Sequence, residues 1–283
     1  MEETVNEVFE TVARSAPEIS AGMLDRRDYV DEDNPSGEEQ LAADVWANRV
    51  LKDRITSIDG VGEFASEEEE GVTDCGDGVG VTIDPLDGSS NIPSNNLVGI
   101  IVGIYDGELP CKGRNLAGSF YVVFGPLTTV VLAKEGSVEE YVVERTNDQQ
   151  VEIHQTKENI ELPDPYVYGF GGRRPEWTPG FRKFATEIEE ELKLRYGGAM
   201  VGDVNQVLNY GGIFSYPALR ERPEGKLRLV FEGNPMAYVF ENAGGSSSDG
   251  ERNLLDVEAD ELHQRTPVHL GNDELIERLE ELV

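Results

Sequence analysis

The string IDPLDGSSNIP, Ile83 to Pro93, sets Asp84 and Asp87 three positions apart around Pro85. A glycine, two serines and an asparagine follow at once. The preceding GVGVTI alternates as a strand should, and Pro85 keeps Asp84 extended, so the strand is expected to stop there with its carboxylate emerging at the end. Gly88 permits a sharp reversal that brings Asp87 near Asp84. Ser89, Ser90 and Asn91 then offer hydroxyls and amides of the type that hold phosphate oxygens. Two carboxylates held close are tolerable when divalent cations sit between them. A cation-bridged phosphate at such a turn implies hydrolysis by in-line attack of water. The same D-x-x-D-G-S-S-N string also reads as a plain turn and helix cap, and the residues alone leave both readings open.

Short β-rich runs surround the turn from Gly60 to about Val151: GEFAS, GVGVTI, NLVGIIVGIY, FYVVF, TTVVLA and VEEYVV, separated by Gly, Asp and Pro. Two helices precede them. The first carries Val5, Val8, Phe9 and Val12. The second, in PSGEEQLAADVWANRVL, is expected to open on a Ser36–Glu39 capping box and to bury Ala42, Trp46 and Val50. ENIELPDP reads as a boundary, giving domains 1–160 and 161–283. Beyond it, Phe181, Phe184, Ile188 and Leu192 mark one helix and Val204, Val207 and Leu208 another. GGIFSYP reads as a strand, Pro235 starts a helix ended by Gly244 and Gly245, and Asn272 caps the last helix. The fold class is α/β, with helices and mixed sheets layered in two halves.

Hydrophobic content of 38% over 283 residues describes a globular chain with a large core. No apolar run reaches membrane-spanning length, and the acidic start lacks a signal peptide, so a cytoplasmic location is expected. Asp and Glu number 56 against 24 Lys and Arg, a net charge of -32. That excess repels nucleic acid and fits a protein working in concentrated salt, where screening is short-ranged. Cys75 and Cys111 form no C-x-x-C, and His154, His263 and His269 lack metal-ligand spacing and read as surface or partly packed residues. Any bound metal is therefore expected on oxygen ligands, which points to Mg²⁺ or Mn²⁺.

D-P-L-D-G-S-S-N resembles the signature of the lithium-sensitive, Mg²⁺-dependent phosphatases, a superfamily that includes inositol monophosphatases and fructose-1,6-bisphosphatases. SEE at Ser66–Glu68, RYGGAMVGDVNQVLNYGGIFSYP, GKLRLVFEGNPMAYVFENAGG and LHQRTPVHLG resemble class I fructose-1,6-bisphosphatases in particular. The resemblance implies the sugar-phosphatase fold and release of the 1-phosphate of fructose 1,6-bisphosphate, with two or more Mg²⁺ (or Mn²⁺) ions per site. It makes Glu67, Glu68, Asp84, Asp87, Glu232 and the Leu86 carbonyl metal ligands. Glu68, Asp44 and Asp87 take the catalytic roles, with Glu68 the first candidate for activating water. Gly88, Ser89 and Ser90 hold the phosphate that leaves, Tyr196, Tyr216 and Lys226 the one retained, and Met200 touches the sugar. Arg195 matches an arginine that reaches a neighbouring subunit's site, which implies a homodimer or homotetramer.

The sequence departs from the family pattern in places. Arg49 replaces an active-site aspartate on the second helix, although Asp44 is kept. YGFGGRR stands where the family has an N-E-G phosphate loop. Gly78 and Val79 stand where AMP-inhibited members carry a Lys-Tyr pair, so no inhibition by AMP is expected. The alternatives are a phosphatase for sedoheptulose 1,7-bisphosphate or inositol phosphates, and a non-catalytic Mg²⁺- or Ca²⁺-binding module. Ser89 and Ser90 oppose the last, since a metal buffer needs no phosphate holder. The absence of a W-D-x-A motif near Glu232 opposes an inositol monophosphatase.

Overall fold

The run NLVGIIVGIY is apolar at nearly every position, a pattern suited to a strand covered on both faces. The computed structural model describes residues 1–35, 37 and 39–283, with side chains for all of these except 31–33 and 39. The first half contains α1 (Glu2–Gly22), β1 (Tyr29–Asp33), β2 (Glu39–Leu41), α2 (Ala42–Ile55), β3 (Val61–Ser66), β4 (Thr73–Asp74), β5 (Val79–Asp87), β6 (Val98–Tyr105), β7 (Leu116–Phe124), β8 (Thr128–Lys134), β9 (Ser137–Arg145) and β10 (Val151–Lys157). The rest contains β11 (Val167–Phe170), α3 (Pro179–Glu191), β12 (Lys193–Leu194), α4 (Met200–Tyr210), β13 (Gly212–Tyr216), β14 (Leu227–Arg228), α5 (Asn234–Asn242), β15 (Ser246–Ser248), β16 (Arg265–Thr266), β17 (Val268–Gly271) and α6 (Asp273–Glu280).

Strands β3 to β10 form one sheet in the order β10-β9-β8-β7-β6-β5-β3-β4, and a second sheet runs β12-β11-β13-β17-β15. Alternate residues of β6 divide between two cores, because successive side chains of a strand face opposite ways. Ile100, Val102 and Ile104 pack with Val8, Val12, Ala47 and Leu51 of α1 and α2. Ile101 and Tyr105 join Val201 and Val204 of α4 and Val239 and Phe240 of α5, together with Phe214 and Leu270 of the second sheet. The outer face of that sheet carries Tyr168, Phe170 and Ile213 against Phe181 and Phe184 of α3 and Ile276 and Leu279 of α6. Five layers result, helix–sheet–helix–sheet–helix, and α4 and α5 fill the shared middle one.

Two expectations shift. Helix α2 starts at Ala42, where the Asp44 carboxylate accepts the Leu41 N–H at 2.7 Å; the proposed capping box includes Ser36, which lies outside the described residues. Its buried stripe is Ala43, Ala47, Leu51 and Ile55, one position on from the stripe expected, while Trp46 is half-buried beneath the Arg26 guanidinium. Small alanines allow close approach to the sheet, so the bulky indole is left at the margin. His269 is fully buried instead of partly packed, and burial pulls its pKa down to about 3.

The acidic residues lie over every layer, and their mutual repulsion is screened within ~3 Å at 1 M salt but only within ~10 Å at 0.1 M. Lowering KCl between these limits should reduce the melting temperature by roughly 5 °C or more, since 1 kcal/mol is worth ~2–4 °C in a chain of this size. A melting temperature that stays flat across the range would remove the case for salt adaptation.

Candidate active site

Strand β5 does not stop at Asp84. It continues to Asp87 through a bulge: Asp84 pairs with Ile101 and Asp87 with Gly99, so three steps on β5 oppose two on β6. Pro85 has no N–H for the ladder, which is why the extra residue sits there. Gly88 then takes φ 73 and turns the chain into a short 3-10 segment, Ser89–Ser94. A Cβ at Gly88 would lie 2.3 Å from the Ala199 Cβ, so glycine is required for space as well as for conformation.

Strand β3 runs parallel to β5, with Ser66 beside Ile83, and the Glu67 N–H donates to the Ile83 carbonyl at 3.0 Å. This pairing delivers the SEEEE run to the side of Asp84. Glu67 is buried there, while the Gln40 amide donates to Glu68 and Asn48 and Lys52 hold Glu69 at 3.0 and 2.6 Å. Glu232 arrives on a π-turn, Leu229–Gly233. The Val230 carbonyl of that turn accepts the Thr82 and Tyr105 hydroxyls at 3.2 and 3.0 Å, which pins it to β5 and β6.

The carboxylate oxygens of Asp84, Asp87 and Glu232 lie within 4.8 Å of one another, and all three residues are buried. Burial pushes Asp84 well above the usual carboxylate range, reinforced by the charges of Glu67, Asp87 and Glu232. Burial likewise raises Asp87 to about 7 and, with Glu67 adding to it, Glu232 to about 7. Asp44 rises to about 7 by burial, against hydrogen bonds from the Leu41 N–H and the Ser89 hydroxyl. Acids crowded in this way stay ionised only beside positive charge. Arg228 supplies some, 2.9 Å from Glu67 and 3.7 Å from Glu232. One guanidinium against this many carboxylates still leaves the cluster acidic, and its all-oxygen donor set fits a hard divalent cation.

These groups line a cavity of about 340 Å³. Asp44, Glu67, Glu68, Asp84, Leu86, Asp87, Gly88, Ser89, Ser90 and Glu232 line it together with Tyr196, Met200, Tyr216 and Lys226. The Lys226 ammonium sits 5.9 Å above the Tyr216 ring, and Gly171 of the YGFGGRR loop gives that ring its room, since a Cβ there would lie 2.2 Å from it. Of the sequence-predicted site residues, Arg195 and Asn91 do not line the cavity; the Arg195 guanidinium bonds the Leu194 carbonyl at 3.3 Å. Asn91 does not offer a free amide, for it is committed to the Leu97 and Gly197 carbonyls at 2.9 and 3.0 Å. Gly78 packs on Gly60 so tightly that a Cβ would lie 2.0 Å from its carbonyl oxygen, so this backbone admits no lysine there.

Sequence reasoning passed over Arg228, Asp203 and Gln40, all in the wall. For Arg228 a signal existed: an arginine inside the apolar run LRLVF, four residues before Glu232, is a candidate for burial beside an acid. Asp203 accepts the Gly197 and Gly198 N–H groups, and burial raises it to about 6.

Layered fold and site together define an α/β protein in which a buried acidic cluster, with oxygen donors suited to a divalent cation, shares one cavity with a Gly-Ser-Ser turn. Comparison with known proteins narrows the class. The family models described as "Fructose-1-6-bisphosphatase, N-terminal domain" and "Fructose-1-6-bisphosphatase, C-terminal domain" match residues 7–154 and 162–283. Curated relatives include the fructose-1,6-bisphosphatase class 1 of Natronomonas pharaonis, 50% identical over 283 residues and covering 99% of both chains. Another, from Haloarcula marismortui, is 50% identical over 280 residues, covering 99% of this chain and 94% of the other. Among solved structures, Leishmania major fructose-1,6-bisphosphatase in holo form superposes with a TM-score of 0.91 at 29% identity, over 99% of this chain and 94% of that one. The chain belongs to the fructose-1,6-bisphosphatase family.

Proposed function

We propose that the protein hydrolyses the 1-phosphate of fructose 1,6-bisphosphate, giving fructose 6-phosphate and phosphate, with Mg²⁺ or Mn²⁺ as cofactor and two or more ions per site. One observation carries this reading: a single cavity is lined by a buried carboxylate cluster, a serine turn, and Tyr196, Tyr216 and Lys226. Glu67, Glu68, Asp84, Asp87, Glu232 and the Leu86 carbonyl would hold the cations. Bound there, divalent ions polarise the phosphoryl oxygens and lower the pKa of water. Ser89 and Ser90 hold the departing phosphate, and Asp44 orients the Ser89 hydroxyl by accepting its proton in a hydrogen bond. Glu68, fixed by Gln40, takes the proton of the attacking water as the phosphorus–oxygen bond to the sugar breaks. The oxygen left on C1 takes a proton from water to become an alcohol, and Glu68 returns its own proton to solvent. Lys226 and the two tyrosines hold the phosphate that stays, a cation and two hydroxyls suited to its charge. Gluconeogenesis in the cytoplasm is the setting this reaction implies.

Phosphate release should be measured across fructose 1,6-bisphosphate, sedoheptulose 1,7-bisphosphate and inositol monophosphates, with Mg²⁺ and molar KCl. The fructose ester should lead. Preference for an inositol monophosphate would sink the reading. AMP titrated at fixed Mg²⁺ and salt should leave the rate unchanged below millimolar concentration, and micromolar half-inhibition would show that a nucleotide site has been rebuilt elsewhere.

Arg195 lies outside its own chain's cavity, and this supports a role in a neighbour's site within a homodimer or homotetramer. Mixing Arg195→Ala and Asp87→Asn subunits should restore activity that neither has alone, because one site in a mixed pair regains both groups. No recovery after proven subunit exchange would exclude that role.

A further inference from the structure

The Gly197–Gly198 backbone ties the serine turn to the segment that carries Tyr196 and Met200. The Gly197 carbonyl accepts the Asn91 amide at 3.0 Å and the Asn96 amide at 2.8 Å. On its other side the Gly197 N–H donates to Asp203 Oδ1 and the Gly198 N–H donates to Asp203 Oδ2 at 3.0 Å. Asn91 belongs to the serine turn and Asn96 to its exit, whereas Gly197 directly follows Tyr196 and leads to Met200. The peptide is thus gripped from the scissile-phosphate side by two asparagines and from the α4 side by a carboxylate. Asp87 adds a parallel tie, accepting the Val201 N–H at 2.8 Å. With the serine turn and the segment that carries Tyr196 and Met200 locked together, neither moves along the cavity without the other, while Tyr216 and Lys226 stand on segments outside the lock.

We propose that Asn96, together with Asn91 and Asp203, is a positioning residue that sets the span between the serine turn and Tyr196 and so the length of the bisphosphate that fits. This rests on the substrate reading above. A seven-carbon bisphosphate exceeds a six-carbon one by about 1.5 Å, one carbon–carbon bond. A displacement of roughly 1 Å is enough to cost up to 100-fold in rate, so a rigid span discriminates between them.

Asn96 is exposed, so Asn96→Leu removes the donor without adding charge or opening the core. Kinetic constants should be compared for fructose 1,6-bisphosphate and sedoheptulose 1,7-bisphosphate, together with inhibition by inorganic phosphate, which occupies either phosphate holder singly and so does not depend on the span between them. The variant should raise KM for the six-carbon sugar roughly three- to tenfold, the worth of one hydrogen bond, with kcat held within about twofold. The preference for six carbons over seven should fall by a similar factor, and the phosphate inhibition constant should not move. Asp203→Asn, acting on the other side of the peptide, should shift the preference in the same direction. An unchanged six-to-seven ratio overturns the clamp, as does a phosphate constant that rises in step with KM. Wild-type protein that hydrolyses neither sugar sinks the substrate reading and the clamp with it, whereas the first two results sink the clamp alone.

Discussion

Asp87→Asn is expected to lose phosphate release by more than about 10³-fold while the protein folds normally, since cation stabilisation of the reacting phosphoryl group is worth several kcal/mol. The carboxylate of Asp87 has two duties. One oxygen, Oδ2, accepts the Val201 N–H at 2.8 Å at the start of α4, and the group also lies within 4.8 Å of its neighbours in the acidic cluster. An asparagine can keep its carbonyl on Val201, which preserves the helix start. Its NH₂ then faces the place where a cation would bind, and an N–H donor cannot ligate a cation. Geometry is kept and charge is lost. At pH 7.5, stripped of divalent ions, the variant should melt at or above the wild-type temperature, because one buried charge has been removed from a repelling group. Added Mg²⁺ should then raise its melting temperature less than it raises that of wild type. Near-normal turnover at saturating Mg²⁺ would show that the cations sit elsewhere.

How much of this was legible in the sequence depends on how local each feature is. The turn was readable because Pro85 and Gly88 act on their own backbone, and the start of the last helix at Asn272 was readable as a local signal, although the Asn272 side chain bonds the Gly212 N–H and the Pro163 carbonyl instead of capping the helix. The strands were readable as apolar runs. Their order was not, since pairing is decided by partners far along the chain. Glu67 reaches Asp84 only because β3 and β5 pair in parallel, and nothing within SEEEE says so. The place of α4 and α5 between two sheets escaped for the same reason: their stripes show that they are buried, not against what. Asp203 was hidden differently. In a chain with 56 acidic residues, a charge that matters looks like one that is merely solvated until burial is known. The Gly197 clamp has no sequence signature, because a peptide carbonyl is present at every position.

Chelation should make the protein's stability depend steeply on pH, and Mg²⁺ should flatten that dependence. Asp44, Asp87 and Glu232 have folded-state pKa values of about 7, raised from 3.8 for the aspartates and 4.5 for the glutamate mainly by burial. Between those limits the native state holds protons that the unfolded chain has released. Stability from these groups is therefore fully present below about pH 4 and is lost as pH rises through about 7. Each would be worth on the order of 4 kcal/mol if it titrated alone, a ceiling that the shared cavity lowers. His269, held down to about 3, and His263, also lowered by burial, work the other way, since they favour the native state as pH rises toward 6.5. Both remain in the Mg²⁺-loaded protein, so the difference between the two conditions isolates the acids. Bound cations replace protons as the partners of the carboxylates and remove the penalty for ionising them. Melting temperatures should be recorded from pH 5 to pH 8 in molar KCl, with excess chelator and with excess Mg²⁺. The gap between the two curves should widen with pH and be greatest near pH 8. In Asp87→Asn the chelated curve should fall less steeply, because one titrating group is gone. Parallel curves for the wild type would mean that the acids are already neutralised from within the chain, and that the cavity does not hold a cation.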